Sequence, residues 1–159
     1  MENKVLILMG SKKDLDFCKE IARYLTLFDL SYEFRIASAH KTPDKVSTII
    51  RENETENVVY ITVAGRSNAL SAFVDANSSK PVIACPPYSE KFGGVDLYSS
   101  LRVPSGVGSL VTIEAEGAAI AAAKIFSLTN HKLQAKIKEY QSSNRKEIEK
   151  ADESAKNMK

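Results

Sequence analysis

Residues 5–14 read VLILMGSKKD, and the change of character at Gly10 decides the fold class. Val5 to Met9 is a short, wholly apolar run. Such a run is the signature of a strand buried on both faces, as in a parallel sheet covered by helices. It stops at Gly10-Ser11, and from Asp14 the period changes. Leu15, Cys18, Ile21, Ala22, Leu25 and Phe28 fall on one helical stripe. Strand, glycine turn and helix open a βαβ unit.

The unit recurs along the chain. Tyr32–Ala37 reads as a second strand, and Pro43 opens a helix near its first turn, where the missing N–H costs little. Val58–Ala64 is a third strand, followed by Gly65 and a helix over Ala69–Ala76. Val82–Cys85 is a fourth, ended by Pro86-Pro87. Ser109–Ile113 is a fifth, followed by an alanine-rich helix over Glu116–Phe126. Alternating strands and helices predict an α/β fold, with a parallel sheet between helical layers. Residues 1–130 therefore read as one α/β catalytic domain. From residue 131 to 159 a thin apolar stripe (Leu133, Ile137, Tyr140) predicts an amphipathic helix packed on that domain or on a neighbouring subunit. The Gly/Ala-rich stretch Gly117–Ala123 allows close backbone approach, either to its own sheet or to another copy.

Composition narrows the classes. The 159 residues are 43% hydrophobic and 26% charged, with a net charge of +2. That is ordinary for one globular domain and leaves no basic stripe for nucleic acid. The longest apolar runs are about seven residues, against the ~20 a membrane span needs. The start, MENKVLILMG, lacks the long apolar core of a signal sequence, so a cytoplasmic protein is expected. Two cysteines without a CxxC partner and two histidines are too few for a zinc site, and Cys18 and Cys85 read as small buried hydrophobes.

The unusual residues sit directly after the strands: GSKKD after the first, SAHKTP after the second, AGRSN after the third, CPPYS after the fourth. In a parallel sheet these ends share the edge where open α/β proteins bind ligands. Gly10-Ser11 can offer backbone N–H groups and a hydroxyl to an anion at a helix N-terminus. Asp14 can either accept hydrogen bonds from sugar hydroxyls or cap the helix. His40 lies between Ser38 and Lys41, a hydroxyl and a cation suited to a phosphate. It is either a structural histidine or the group that moves a proton. Arg66 reads equally as a ligand donor or as half of a surface ion pair. Pro86-Pro87 and Pro104-Ser105-Gly106 read as rigid loops lining the pocket. Neither GxxxxGK[ST] nor GxGxxG is present, which argues against nucleoside triphosphates and dinucleotides.

Taken together and in this order, MGSKKD, SAHKTPD, VAGRSNAL, CPPYSEKFGGVDLYSSLRVPSG and the alanine-rich helix resemble the phosphoribosylaminoimidazole carboxylase (PurE) family, over residues 5–127. The resemblance implies a three-layer α/β/α sandwich of flavodoxin-like type plus the C-terminal helix, assembled as a homo-octamer. It implies a substrate, aminoimidazole ribonucleotide, carboxylated in purine biosynthesis. One class of the family is a mutase that moves a carboxyl group from the exocyclic nitrogen to a ring carbon, and carries SAHR and AGGAAH. The other uses carbon dioxide directly and carries SAHK and AGRSN. Lys41, Arg66–Asn68 and Ala69 match the second; Glu90 departs from the aspartate common there. Residue by residue, the resemblance makes His40 the acid–base group. Ser11, Ser38 and Lys41 become phosphate contacts, Asp14 a ribose contact, and Gly65 and Ser67 parts of the site wall. It implies carbon dioxide as co-substrate, with no metal, biotin or ATP. The mutase is the near alternative. A non-catalytic nucleotide- or flavin-binding module is the distant one, and it leaves SAHKTP and AGRSN without a purpose.

Overall fold

The apolar runs pair into a single sheet in which every hydrogen-bonded neighbour is parallel, in the order β2-β1-β3-β4-β5. The computed structural model describes residues 2–158. Its strands are β1 (Lys4–Met9), β2 (Ser31–Ile36), β3 (Val58–Val63), β4 (Val82–Ala84) and β5 (Leu110–Val111). Helices α1 (Leu15–Leu27), α2 (Pro43–Asn53) and α3 (Ala69–Ala76) follow the first three strands. A short α4 (Tyr98–Leu101) lies in the long β4–β5 connection, and α5 (Ala115–Ser127) and α6 (His131–Lys156) complete the chain. The strand order is that of flavodoxin-like doubly wound sheets.

Period-two geometry splits the apolar residues of β1 between two cores. Val5, Ile7 and Met9 join Val59, Ile61 and Ile83 under α1, α5 and the start of α6. Leu6 and Leu8 join Tyr60 and Val82 under α2 and α3. All five residues from Val5 to Met9 are fully buried, which is why that run shows no polar alternation. The result is helix, sheet, helix in three layers.

The alanines of α5 serve this close packing. Ala115, Ala118, Ala119, Ala122 and Ala123 are all buried against the chain's own α1 and sheet, so this face is used internally. Gly117 faces Thr112, whose side chain a β-carbon there would strike. Cys18 and Cys85 lie in the same core as free thiols, and burial pushes both up to about 12. They act as small apolar side chains.

Helix α6 is 26 residues long, about 39 Å at 1.5 Å per residue. Asn130 caps it by accepting from Leu133 N–H (3.1 Å). Leu133 and Ile137 are buried, Tyr140 meets Phe28 edge-on with centroids 5.4 Å apart, and its hydroxyl donates to Glu116 (2.9 Å). From Ser143 to Met158 every residue is exposed. The fifth strand is shorter than its apolar run predicts: only Leu110 and Val111 pair with β4. It is an edge strand with one partner, entered from a glycine turn at Gly106 (φ 83°), so Leu110 and Ile113 stay exposed.

Candidate active site

Because Met9 is level with both Ile36 and Val63, the segments leaving β1, β2 and β3 emerge side by side. The chain from β1 turns to α1 on one face of the sheet, whereas the chain from β3 turns to α3 on the other. A crevice opens where they part. It is a cleft of about 660 Å³, within the usual range for small-molecule sites. Ser11, Asp14, Ser38, His40, Lys41, Gly65 and Ser67 all line it.

Each of these segments closes its own backbone. Ser11 Oγ accepts from Lys13 N–H (3.2 Å), shaping a 3-10 turn over Lys12–Asp14. Gly10 N–H is already committed to Val63 C=O (2.9 Å), so it is not free for an anion as the glycine turn suggested. Glycine is needed there for close approach, because a β-carbon would lie 3.4 Å from that of Ala64. Asp14 stands at the N-cap position of α1 but makes no capping bond through its side chain. It faces the cleft half-buried, and that burial raises its carboxyl above the usual range, partly offset by a hydrogen bond from the backbone at Ser11.

The turn after β2 is braced by Thr42, whose Oγ accepts from Ser38 N–H (2.9 Å). Ser38 Oγ accepts from Lys41 N–H (3.3 Å), and Thr42 N–H donates to Ser38 C=O (2.8 Å). His40 is exposed at the tip of this turn and makes no hydrogen bond with any described residue. It is not a histidine satisfied within the core. His131, by contrast, lies at the opposite edge of the sheet, on a second cleft of about 710 Å³.

After β3, Arg66 adopts a left-handed backbone (φ 61°), and Asn68 caps α3 by accepting from Ser71 N–H (3.2 Å). Arg66 is in no salt bridge among the described residues, which removes the surface-ion-pair reading. Pro87 lines the cleft, but Pro104-Ser105-Gly106 does not. That turn instead leads to Gly108, whose N–H donates to Asp75 (2.7 Å) away from the cleft. Tyr88 belongs to the CPPYS block, whereas Lys91, Phe92 and Asp96 were not individually singled out from the sequence. The available signal was the Gly93-Gly94 pair, both at positive φ (55° and 77°), which turns the chain back towards the cleft ahead of Asp96.

Lys13, Lys41, Arg66 and Lys91 face Asp14 and Asp96, and none of the four cations is spent in an ion pair among the described residues. The cleft is thus net positive and suits an anionic ligand.

The family model for AIR carboxylase matches residues 4–147. The chain belongs to the AIR carboxylase family. It is 59% identical over 150 residues to a phosphoribosylaminoimidazole carboxylase of Archaeoglobus fulgidus, covering 94% of this chain and 83% of that protein. It is 45% identical over 150 residues to one of Treponema denticola, covering 93% and 94%. The crystal structure of Treponema denticola PurE superposes with a TM-score of 0.94 at 44% identity, covering 96% of this chain and 98% of that one. As an AIR carboxylase the chain is an enzyme of purine biosynthesis, a carboxy-lyase.

The raised Asp14 carboxyl has a sign that can be checked. In the folded enzyme it holds its proton more tightly than in the unfolded chain. The cost of its buried charge is therefore absent below the ordinary aspartate range and grows as pH rises through the raised value. Asp14→Asn is expected to melt above the wild type at about pH 7, with the gap closing by about pH 3, below the ordinary aspartate value. Melting curves at both pH values check this, and a gap that stays constant contradicts it.

Proposed function

We propose that this AIR carboxylase joins carbon dioxide directly to carbon 4 of aminoimidazole ribonucleotide, with His40 moving the proton. The observation that carries the reading is the cleft's single imidazole. His40 is exposed and unbonded beside Ser38 and Lys41, while α3 begins at Ala69, where the mutase class carries a second histidine. The Arg66-Ser67-Asn68 turn belongs to the same pattern.

The aminoimidazole is an electron-rich enamine. Its amino nitrogen pushes electron density to carbon 4, which forms a bond to the carbon of carbon dioxide, and one C–O π pair becomes carboxylate charge. The adduct keeps a hydrogen on carbon 4 and an iminium at carbon 5. The free imidazole nitrogen of His40 takes that proton, and the C–H electron pair returns to the ring and restores its aromaticity. In reverse, protonated His40 delivers the proton and carbon dioxide leaves. A nucleophilic ring carbon and free carbon dioxide need no metal, biotin or ATP, so carbon dioxide enters as co-substrate alone.

Ser11 and Ser38 use their oxygens as acceptors within their own turns, which leaves each hydroxyl hydrogen free to donate to the substrate phosphate. Lys41 supplies a point charge to the same group. Asp14, without a capping bond, takes the ribose hydroxyls. Gly65 and Ser67 line the wall beside the base. The subunit works in the cytoplasm as a homo-octamer. Support for assembly comes from the exposed apolar side chains Val95, Tyr98 and Leu101 beside the cleft and from the uncovered second half of α6. Sedimentation at low concentration is expected to give the mass of eight chains, and a monomer would overturn the assembly.

Supplying purified protein with unmodified aminoimidazole ribonucleotide and bicarbonate tests the reaction. Turnover that rises with dissolved carbon dioxide is expected, and activity confined to the substrate carboxylated on its exocyclic nitrogen would make it a mutase. In the same assay, His40→Asn should lower kcat by about 10²–10⁴-fold, the usual worth of a positioned general base. Lys41→Ala should raise KM with kcat little changed, because it removes binding common to ground and transition states. Near-full activity of His40→Asn, or a loss confined to kcat in Lys41→Ala, would contradict these roles.

A further inference from the structure

We infer that Asp96 is a positioning residue of this site: it locks Arg66 in its left-handed backbone conformation and so sets the shape of the Gly65–Ser67 turn against the substrate. The inference rests on the reaction proposed above for its kinetic readout only.

A left-handed backbone is unfavourable for any residue with a β-carbon, and persists only where its surroundings hold it. Both peptide groups of Arg66 are held, and by one distant segment. Its N–H donates to Asp96 Oδ2 (3.0 Å), and its C=O (2.9 Å) shares the single Ser99 hydroxyl hydrogen with Asp96 C=O (2.7 Å). Ser99 Oγ also accepts from Asn68 N–H (3.0 Å), and Asn68 Nδ2 donates to Ser100 Oγ (3.0 Å). Residues 96–100 thus form a rigid backing to residues 66–68, and Asp96 is its one charged acceptor. A charged acceptor makes a stronger bond to a backbone N–H than a neutral one.

Asp96 is also part of the cleft wall, next to Gly65. A β-carbon built on Gly65 would lie 3.8 Å from Asp96 Oδ2, and Asp96 itself lines the cleft. Its other oxygen, Oδ1, is buried without a hydrogen-bond partner among the described residues.

The test is a double-mutant cycle. Asp96→Ala is expected to lower kcat/KM for aminoimidazole ribonucleotide by up to about 10²-fold, the scale of a small misplacement of site groups. Asp96→Asn keeps a neutral, weaker acceptor for Arg66 N–H, so its loss should fall between wild type and Asp96→Ala. Arg66→Gly relieves the left-handed strain, so adding Asp96→Ala to it should cost far less than in the wild-type background. An equal loss in both backgrounds, or a loss in Asp96→Asn as deep as in Asp96→Ala, would overturn the inference in favour of direct substrate contact or charge. Should Asp96→Ala fail to fold, Ser99→Ala removes the hydroxyl that holds Arg66 C=O, and the same dependence on Arg66→Gly is required of it. Amide hydrogen exchange over residues 64–69 of the ligand-free protein gives a readout independent of turnover. It should speed up in Asp96→Ala and in Ser99→Ala, and unchanged exchange rejects the clamp. If wild-type protein does not convert the nucleotide with bicarbonate, the reaction reading fails and exchange alone still judges Asp96.

Discussion

Three parallel strands that end level with one another are the constraint on which the rest of this enzyme depends. Met9 sits opposite Ile36 and Val63, and the pairing continues one step into the loops through Ala37 N–H to Met9 C=O and Gly10 N–H to Val63 C=O. A slip of one residue would move a strand end by about 3.3 Å and turn every side chain to the other face. Polarity would not oppose the turn in β1, which is apolar on both sides; packing would. Val5, Ile7 and Met9 fit under α1 and α5, and Leu6 and Leu8 fit under α2 and α3, with no room to exchange. Core packing therefore sets the level at which Ser11, Ser38 and Gly65 stand.

On that frame the turns that line the first cleft share a device. Their backbone polar groups are satisfied by side-chain oxygens: the Ser11 hydroxyl for the first, the Thr42 hydroxyl for the second, and the Asp96 carboxylate with the Ser99 hydroxyl for the third. The charged side chains of the same turns are left unpaired. Lys13, Lys41 and Arg66 keep their charge for a ligand, whereas the ion pairs of this chain lie elsewhere, as in Arg35 with Glu33 and Glu52. Exposed pairs of that kind contribute little stability, so reserving the cleft cations costs the fold almost nothing.

Most of this was legible in the sequence because it is local. The period change at Gly10 gave β1 and α1, and the apolar residues after Gly65 gave α3 its bounds, Ala69–Ala76. That Ser11, Asp14, Ser38, His40, Lys41, Gly65 and Ser67 share one cleft was legible for the same reason, since each belongs to a segment that directly follows a strand. What stayed hidden depends on partners far along the chain. Nothing around Gly10 reveals that its amide is taken by Val63, and nothing around Asp96 reveals that it reaches Arg66, thirty residues earlier. The 86–109 connection carries no period at all: its course is set by 3-10 turns and by positive-φ glycines, whose effects are long-range in space and invisible in spacing. The fifth strand was overestimated because an apolar run does not say whether a second partner strand exists.

Size does not distinguish the two edges of the sheet, because the clefts there are about equally large, near 660 and 710 Å³. Electrostatics does. Helices α1, α2 and α3 all begin at the edge where β1, β2 and β3 end, so three helix N-termini bring their partial positive charge to the first cleft. Four unpaired cations stand there against two carboxylates. At the opposite edge only α6 begins beside the cleft, and Lys136, which lines it, is already paired with Asp29. A parallel sheet with right-handed crossovers must carry its helix N-termini to the C-terminal edge of its strands. The attraction for an anion is therefore laid down by the topology first. The lysines, the arginine and the histidine then refine it.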